Sequence, residues 1–433
     1  MQFELLHPAD QLVMIMKRIY GYGMTTTSGG NLSIREENGD IWITPAGIDK
    51  GSLTRNDIVC VKADGKKEGI HQPSSEFPFH KEIYNRRPDI GAIIHAHPSA
   101  LVSFSIVRQV PNTKLIPNAH LISAPVSMAE YKLPGSEELG DVIADEFEKG
   151  INTVMLENHG VVLGARNLFD AFMSFETLDF CARLEINAKQ LGQPVSLSES
   201  DIIEYQNKQK KQIAMEEFTP EYHDSKEREA RREICDLIHR AYQQRLFTST
   251  QGTFSQRLGK DSFLITPYGK DRKYIDISDL VKIKNAKKEA GKTPSRSTML
   301  HKYIYEENPE INSIIIAHPP NIMTFAVTHE KINTKIIPES YIMLQNIPEA
   351  EFGSTFFQPQ KFARRFSPET SIIMIKNDSV IFTGDNMINT FDKLEVAEFS
   401  AKSIISANQI GEIVNINQEQ IDSLEKAFDM YSS

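Results

Sequence analysis

The chain of 433 residues repeats itself, and this repetition constrains the fold more than any other feature of the sequence. The segment PSSEFPFHKEIYNRRPDIGAIIHAHP, which begins at Pro73, returns 221 positions later as PSRSTMLHKYIYEENPEINSIIIAHP. Thr44, Pro45 and Gly47 return 222 positions later, and GNLSIR, which begins at Gly30, returns as GTFSQR. ENHGVVLGARNLFDAF returns 219 positions later as KNDSVIFTGDNMINTF. Matches in the same order at nearly constant spacing predict two copies of one fold, with small insertions and deletions in the loops.

The stretch between the two copies is rich in charge and poor in apolar residues. Residues 192–228 contain Pro194, Pro220 and a Lys/Gln run, a composition typical of a solvated linker that includes a helix. We therefore expect a first domain over residues 1–218, which ends in the linker helix, and a second domain over residues 219–433.

Within each copy, the apolar residues alternate between helical and strand spacing. Leu12, Met16 and Ile19 fall on one side of a predicted helix that ends in glycines. DIWITPAG and DIVCVKADG are typical of short strands closed by turns, and GAIIHAHP and TVMLENHG predict strands with histidines at their ends. PSSEFPFHKEIYNRRPD predicts a helix that is capped by its serines and ended by Arg-Arg-Pro. The pattern predicts α/β domains with helices packed on a sheet.

Composition argues against several kinds of partner. The chain has 48 Lys and Arg against 58 Asp and Glu, and the net charge of −10 disfavours a nucleic-acid partner. We expect no membrane partner, because no window has the roughly 20 apolar residues that a membrane helix needs. The first residues lack the basic start and cleavage site of a secretory signal, which predicts a cytoplasmic protein. Cys60, Cys181 and Cys235 form no CxxC pair, so we expect buried, inert thiols.

The residues with the strongest chemical signal lie at the ends of the predicted strands. His95 and His97 are two positions apart, so on a strand both imidazoles project from the same face. His159 lies where an apolar strand meets a glycine turn, and a third imidazole there can enter a shared pocket. Three histidines suit a catalytic zinc ion, with Glu76 as a displaceable fourth ligand. The alternative is that these histidines only cap strands through hydrogen bonds to the backbone.

The same motifs resemble the class II aldolase/adducin family. SGGNLSIR, ITPAG, PSSE, HAHP and ENHG occur in the family's order over residues 8–190. The resemblance implies two tandem three-layer α/β/α domains, each with a mostly antiparallel central sheet. It implies one Zn2+ per chain, bound in the first domain, and Glu76 as the catalytic acid/base. The implied metal ligands are His95, His97, His159 and Glu76, and the implied residues of a substrate phosphate pocket are Gly30, Asn31, Thr44, Gly47, Ser74 and Ser75.

By the same resemblance, the expected activity is that of a zinc-dependent aldolase, a lyase of carbohydrate metabolism. It would cleave or form a carbon–carbon bond in a ketose phosphate, or a related hydroxyketone, through a metal-bound enediolate. Ala46 stands where phosphate-binding members often have a hydroxyl residue, so a non-phosphorylated acid is an alternative substrate. Alternative functions are an epimerase, a dehydratase or a decarboxylase on the same scaffold, or a non-catalytic, adducin-like interaction module.

The second copy has lost most of the candidate metal ligands, so we expect it to have no metal site and to serve architecture. Aldolases of this family form fourfold rings, which implies that this chain forms a homodimer with a pseudo-fourfold ring. In such a ring the second domain would complete the pocket of the first. Arg296 replaces the serine at position 75, and we expect it to form a surface salt bridge. The residues that match Glu76, His95, His97 and His159 are Ser297, Ile316, His318 and Asp378.

Overall fold

A computed structural model describes residues 3–210 and 214–428 of the chain. The backbone contacts divide the chain into two compact units. The first unit consists of the chain up to Thr113 together with Asn118–Arg183, and the second consists of Lys114–Pro117 together with the chain from Leu184 onward.

The expected domains, residues 1–218 and 219–433, stay a prediction, because contacts within one chain do not test which segments fold independently. A helix, α7 (Glu199–Lys210), lies within the stretch expected to be the linker. None of the helices in the described ranges is long and apolar enough to span a membrane.

The first sheet is built from short strands, which are joined partly by helices and partly by turns. Its strands are β1 (Asn31–Arg35), β2 (Ile41–Ile43), β3 (Val59–Val61), β4 (Lys67–Glu68), β5 (Ala92–Ala96), β6 (Val126–Ala129), β7 (Thr153–Leu156) and β8 (Val161–Ala165). The helices are α1 (Pro8–Gly21), α2 (Phe77–Arg86), α3 (Ser99–Ile106), α4 (Pro117–Ser123), α5 (Glu137–Glu148) and α6 (Leu168–Leu191). Among the described residues these strands form one eight-stranded sheet in the order β4-β3-β2-β1-β5-β8-β7-β6.

The ends of two predicted helices show how far local sequence signals predict where a helix begins and ends. Helix α1 follows His7, whose side chain accepts a hydrogen bond from the main chain of Ala9, and its predicted apolar side is buried. Helix α2 ends at Arg86, before Pro88, as predicted. The expected serine cap of α2 is wrong: Glu76 is the residue before the first turn, and Ser74 Oγ accepts instead from the main-chain N–H of Glu76 at 3.3 Å.

Strand β5 lies in the middle of the first sheet, between β1 and β8, and is antiparallel to both. Strands β6 and β7 are parallel. The sheet is therefore mixed. The expectation of a mostly antiparallel sheet is corrected accordingly: the fold contains a mixed sheet. Helices α2 and α5 cover the sheet, where Phe79, Ile83 and Phe147 join Ile93 and Val154 in a buried cluster.

The second unit repeats this architecture. Its strands are β9 (Glu217–Phe218), β10 (Thr253–Gly259), β11 (Ser262–Ile265), β12 (Val281–Lys284), β13 (Lys287–Glu289), β14 (Ser313–Ala317), β15 (Glu349–Ala350), β16 (Ile372–Ile375) and β17 (Val380–Gly384). Its other helices are α8 (Ser225–Gln243), α9 (Thr298–Glu307), α10 (Ile322–Thr328), α11 (Pro338–Leu344), α12 (Ser354–Phe357), α13 (Pro359–Ala363), α14 (Met387–Ala407) and α15 (Gln418–Ala427). Short 3-10 helices at Phe3–Leu5, Arg55–Asp57 and Thr113–Leu115 complete the elements of the described chain.

The strand order shows that the two sheets are copies of one another. In the described part of the chain, the second sheet has the order β9-β13-β12-β11-β10-β14-β17-β16-β15. Strands β13 to β15 in this order match β4 to β6 of the first sheet one by one, and β9 is added at the edge. That added strand, β9, pairs with β13 in parallel, and β15 and β16 are also parallel. The predicted duplication is confirmed, and the second sheet is mixed as well.

Gly30, just before β1, provides a test of this architecture, because its backbone has a φ of +72° and an added Cβ would lie 2.7 Å from the main-chain oxygen of His95. We expect Gly30→Ala to lower the free energy of unfolding by about 2 kcal/mol or more. Gly47→Ala is the matched control, since Gly47 also has a positive φ, of +66°, but has open space around the added atom. It should cost only about 1 kcal/mol. Urea denaturation measures both, and equal losses would contradict the role of the contact with β5.

Candidate active site

Three imidazoles of the first unit converge at one end of its sheet. His95 lies on β5, His97 follows the strand directly, and His159 lies in the turn between β7 and β8. The Nε2 atoms of His95 and His97 are 2.9 Å apart, and one ligand atom from each of the three side chains lies within 4.8 Å of the others. His95 Nδ1 donates to the carbonyl of Val161 at 3.0 Å, which places the proton on that nitrogen and turns the lone pair of Nε2 toward the cluster.

The carboxylate of Glu76 faces the same cluster from the start of α2. Its Oε2 lies 3.2 Å from His95 Nε2, and its Oε1 lies 3.6 Å from His159 Nε2. The Glu76 side chain is buried, and Oε1 has no hydrogen-bond partner among the described residues. A buried carboxylate oxygen without a donor is costly, so this atom is poised for a ligand or a cation.

Asn31 holds Glu76 in place through a chain of hydrogen bonds. The Asn31 side-chain amide donates to Glu76 Oε2 at 2.7 Å, and its carbonyl oxygen accepts from His80 Nε2. His80 Nδ1 then accepts from the hydroxyl of Ser33 at 2.7 Å, and Ser33 in turn accepts from Tyr84 at 2.8 Å. This directed chain fixes the rotamer of the Glu76 carboxylate.

The electrostatics favour the neutral form of His97 and His159 and the ionised form of the Glu76 carboxyl. Burial lowers the pKa of His97 to about 3 and that of His159 to about 4, with the charge of His95 acting in the same direction. Burial alone would raise the pKa of Glu76, but the charge and hydrogen bond of His95 outweigh it, so the pKa is lowered. Neutral imidazoles beside a carboxylate are the donor set that a divalent metal requires.

The residues expected to bind a phosphate surround this cluster. Gly30 and Asn31 adjoin His95 across the sheet, and Ser74 adjoins Glu76. The Thr44 hydroxyl is buried and accepts from the main-chain N–H of Leu32 at 3.1 Å, so it continues the pairing of β1 and β2. The side chain of Asn31 is likewise engaged by Glu76 and His80, and its backbone lies in β1 opposite His95 of β5. Ser75 is exposed, and Gly47 lies in a turn with a positive φ.

Sequence reasoning missed the Ser33, His80 and Tyr84 chain and also Lys50. A signal for the chain was present: His80 follows Glu76 by one helical turn, and the three residues return in the second copy as Ser255, His301 and Tyr305. Lys50 is buried, and its ammonium donates to the carbonyl of Pro45 at 2.6 Å, which ties it to the turn that contains Thr44 and Gly47.

The second unit does not assemble the same site. At the matching positions, Ile316 belongs to a buried apolar cluster, and the Asp378 carboxyl accepts from the Thr355 hydroxyl at 3.3 Å. Burial raises the pKa of Asp378 to about 6. Within the ranges that the structure describes, the His95, His97 and His159 cluster is the group of three or more side chains with a geometry for a metal ion.

Comparisons with known proteins identify the family of the chain. The family model of the Class II Aldolase and Adducin N-terminal domain matches residues 10–186 and again residues 232–405. Because the two matches together cover well over half of the sequence, the chain belongs to the class II aldolase and adducin family, and it contains two copies of the family's domain.

Individual relatives match about half of the chain. A 5-deoxy-D-ribulose 1-phosphate aldolase of Bacillus thuringiensis serovar kurstaki is 33% identical over 198 residues, which are 45% of this chain and 91% of the relative. A 3-oxo-tetronate 4-phosphate decarboxylase of Haemophilus influenzae is 28% identical over 206 residues, 46% of this chain and 97% of the relative. A solved structure of an L-fuculose 1-phosphate aldolase is 33% identical, covers 47% of this chain and 96% of its own, and superposes with a TM-score of 0.43.

The burial of Lys50 predicts a pH dependence of stability. Burial lowers the pKa of Lys50 from 10.5 to about 8, so between these values the unfolded chain binds more protons than the folded one, and stability rises with pH. We expect the free energy of unfolding of the wild type, relative to Lys50→Met, to rise by roughly 1–3 kcal/mol over this range.

Urea denaturation at several pH values measures this difference. Lys50→Arg is the control, because an arginine stays charged throughout, and its stability relative to Lys50→Met should stay constant. A constant difference between the wild type and Lys50→Met would contradict the prediction.

Proposed function

We propose that this protein is a zinc-dependent aldolase that cleaves or forms a carbon–carbon bond in a small sugar phosphate or a related hydroxyketone. The observation that carries the proposal is the convergence of three imidazoles on a buried glutamate, one of whose oxygens has no partner in the described chain. The family and its aldolase relatives support a lyase of this type. The homodimer with a pseudo-fourfold ring and the cytoplasmic location stay predictions.

The donor set fits a zinc ion. His95, His97 and His159 would hold it through ring nitrogens, with Glu76 as a ligand that leaves when the substrate enters. A histidine that binds a metal through Nε2 usually has its ring held by a hydrogen bond from Nδ1. The hydrogen bond from His95 Nδ1 to the carbonyl of Val161 holds the ring of His95 in this way. When bound, the metal would act as a Lewis acid that lowers the cost of negative charge on the substrate's oxygens.

Glu76 would transfer the proton. Its carboxylate would take the proton from the substrate carbon next to the carbonyl and would return a proton in the reverse direction. Asn31 keeps Oε2 occupied, so Oε1, on the side of His159, is the atom that would accept the proton. Because burial excludes water from this carboxylate, the proton would pass directly to and from the substrate.

The substrate's phosphate would lie beside the metal cluster, on the turns of the candidate phosphate pocket. Gly30 and Gly47 offer main-chain N–H groups, and Ser74 and Ser75 offer hydroxyls near the start of α2. Lys50 adds a cation beneath the Thr44–Gly47 turn. Ala46 contributes no hydroxyl, so we propose that main-chain groups and this cation provide the remaining contacts.

A decarboxylase is the second candidate. The 28% identity to a 3-oxo-tetronate 4-phosphate decarboxylase supports it, since the same cluster could stabilise negative charge after loss of carbon dioxide. Product analysis separates the two reactions, because an aldolase releases an aldehyde and a decarboxylase releases carbon dioxide. An epimerase, a dehydratase and a non-catalytic module are further outcomes of that assay.

Metal content tests the ligand set. We expect His97→Ala to reduce the zinc content well below one ion per chain, because two imidazoles and a carboxylate bind zinc more weakly. His318→Ala, at the matching position of the second unit, is the control and should leave the zinc content unchanged. Elemental analysis of both purified variants gives the answer, with circular dichroism to check folding. Full zinc content in the first variant would rule out His97 as a ligand.

The role of Glu76 is tested by Glu76→Gln, which keeps the shape of the side chain but cannot accept a proton. We expect turnover to fall by roughly a hundredfold or more, while the three imidazoles retain part of the zinc. Glu82→Gln, on the exposed side of the same helix, should keep wild-type turnover. Turnover is measured with zinc-loaded protein, sugar phosphates and simple aldehydes, and wild-type rates for Glu76→Gln would refute its role.

A further inference from the structure

The second unit lost its metal donors but also gained a side chain where the first unit has a glycine. A Cβ added at Gly29 would lie 2.9 Å from His97 Nδ1 and 3.0 Å from Thr26 Oγ1. Gln251 is the residue that matches Gly29, and its side chain is buried. The second unit therefore has a buried glutamine amide at a position where the first unit has no side chain.

A pocket of hydroxyl groups is nevertheless kept next to this space. Thr253 Oγ1 lies 3.0 Å from Ser295 Oγ, which lies 3.0 Å from Ser297 Oγ. The two turns beside these hydroxyls keep their glycines in the left-handed conformation, with φ of +77° at Gly252 and +69° at Gly269. These segments match the candidate phosphate pocket of the first unit position by position.

The hydroxyl pocket also lies at the start of a helix. Ser297 precedes the first turn of α9, and its own side chain makes no capping hydrogen bond. The main-chain N–H of Ser297 donates to Ser295 Oγ at 3.4 Å and that of Thr298 to the carbonyl of Ser295 at 3.1 Å, so an anion would be favoured there mainly by the helix dipole. By itself a helix start would be weak evidence, but two further observations point the same way.

The first observation is a buried cation without a carboxylate. The guanidinium of Arg272 is buried and donates to the main-chain oxygens of Gln251 at 3.0 Å, Gly252 at 3.1 Å and Lys270 at 2.7 Å. It thus bridges the two glycine turns, and no ion pair of Arg272 occurs among residues 3–210 and 214–428. A buried charge needs compensation, which an anion on these turns would supply. Arg296, exposed beside the pocket, adds a second cation 4.9 Å above the ring of Tyr268.

The second observation is a set of buried polar atoms that lack partners within the described ranges. They include both amide atoms of Gln251 and His301 Nε2. The His301 side chain is fully buried, and its Nδ1 lies 2.6 Å from Ser255 Oγ, as the matching ring of His80 lies against Ser33. Its Nε2 therefore points along the strand toward Thr253, where the first unit has Asn31. Unpaired buried donors and acceptors are rare in native proteins and indicate that something polar binds there.

From this set of features we propose that the second unit binds a phosphate monoester without a metal, so that each chain holds a phosphorylated small molecule that it does not convert. The phosphate would bind the hydroxyls of Ser295 and Ser297, the first turn of α9 and Arg296, with Arg272 balancing its charge from behind. Gln251 would contact the rest of the ligand. This site lies beyond the proposed aldolase activity and does not depend on it.

Isothermal titration calorimetry of the full chain with glycerol 3-phosphate, and separately with inorganic phosphate, tests the proposal. The second-unit variant combines Ser295→Ala with Arg296→Ala, and the matched first-unit variant combines Ser74→Ala with Ser75→Ala. We expect the second-unit variant to lose one binding site or to weaken it by about tenfold or more, as the loss of a charge-assisted hydrogen bond predicts. Ser297→Ala, which removes a further hydroxyl of the pocket, should also weaken the binding.

The outcomes distinguish this proposal from the proposed function. Two sites in the wild type, each removed by one of the paired variants, support both. One site that only the second-unit variant removes supports the present proposal and argues against a phosphate in the first unit. Binding that all second-unit variants leave unchanged, or no binding, overturns it. Circular dichroism checks that each variant is folded, and tight binding of inorganic phosphate alone would show that free phosphate is the ligand.

Discussion

Strand β5 is held between β1 and β8 by antiparallel hydrogen bonds, and the chemistry of the first unit depends on that register. His95 lies opposite Asn31 on one side and Val162 on the other. Because side chains alternate along a strand, a slip by one residue would turn His95 to the other face of the sheet. It would also separate His95 from the Asn31 and Glu76 pair. The backbone ladder thus brings together a strand, a helix start and a turn that are far apart in sequence.

Much of this could be predicted from the sequence, because the decisive signals are local or repeated. The repeated motifs indicate two copies of one domain, and the spacing of His95 and His97 indicates that both side chains lie on the same face of a strand. The parallel pairing of β6 with β7 could not be predicted, since β6 is a short edge strand with only one buried residue and so has little apolar alternation. The hydrogen bond from Asn31 to Glu76 could not be predicted either. The spacing of apolar residues indicates which face of the sheet a side chain occupies, but it does not identify the side chain that it contacts.

The second copy shows which residues the fold needs. Ser255, His301 and Tyr305 repeat the hydrogen bonds of Ser33, His80 and Tyr84, although the second unit has no glutamate for them to orient. Arg257 stacks 4.6 Å from the ring of Tyr305, as Arg35 stacks 4.9 Å from that of Tyr84. These groups are therefore part of the framework that joins the helix to the sheet. In the first unit the same hydrogen bonds also orient the Glu76 carboxylate, because Asn31 connects His80 to Glu76.

The residues that differ between the copies are the ones the fold does not require. Ile316 replaces His95 on the central strand and packs with Ile265, Ile283 and Ile314, which stabilises the second sheet through apolar burial. His95, in contrast, is a fully buried imidazole that makes one hydrogen bond to the backbone and lies between the Phe79 ring and the polar groups of the cluster. Burying such a group costs free energy that an isoleucine does not. Because the second sheet is complete with Ile316, this fold does not need an imidazole at that position of the central strand.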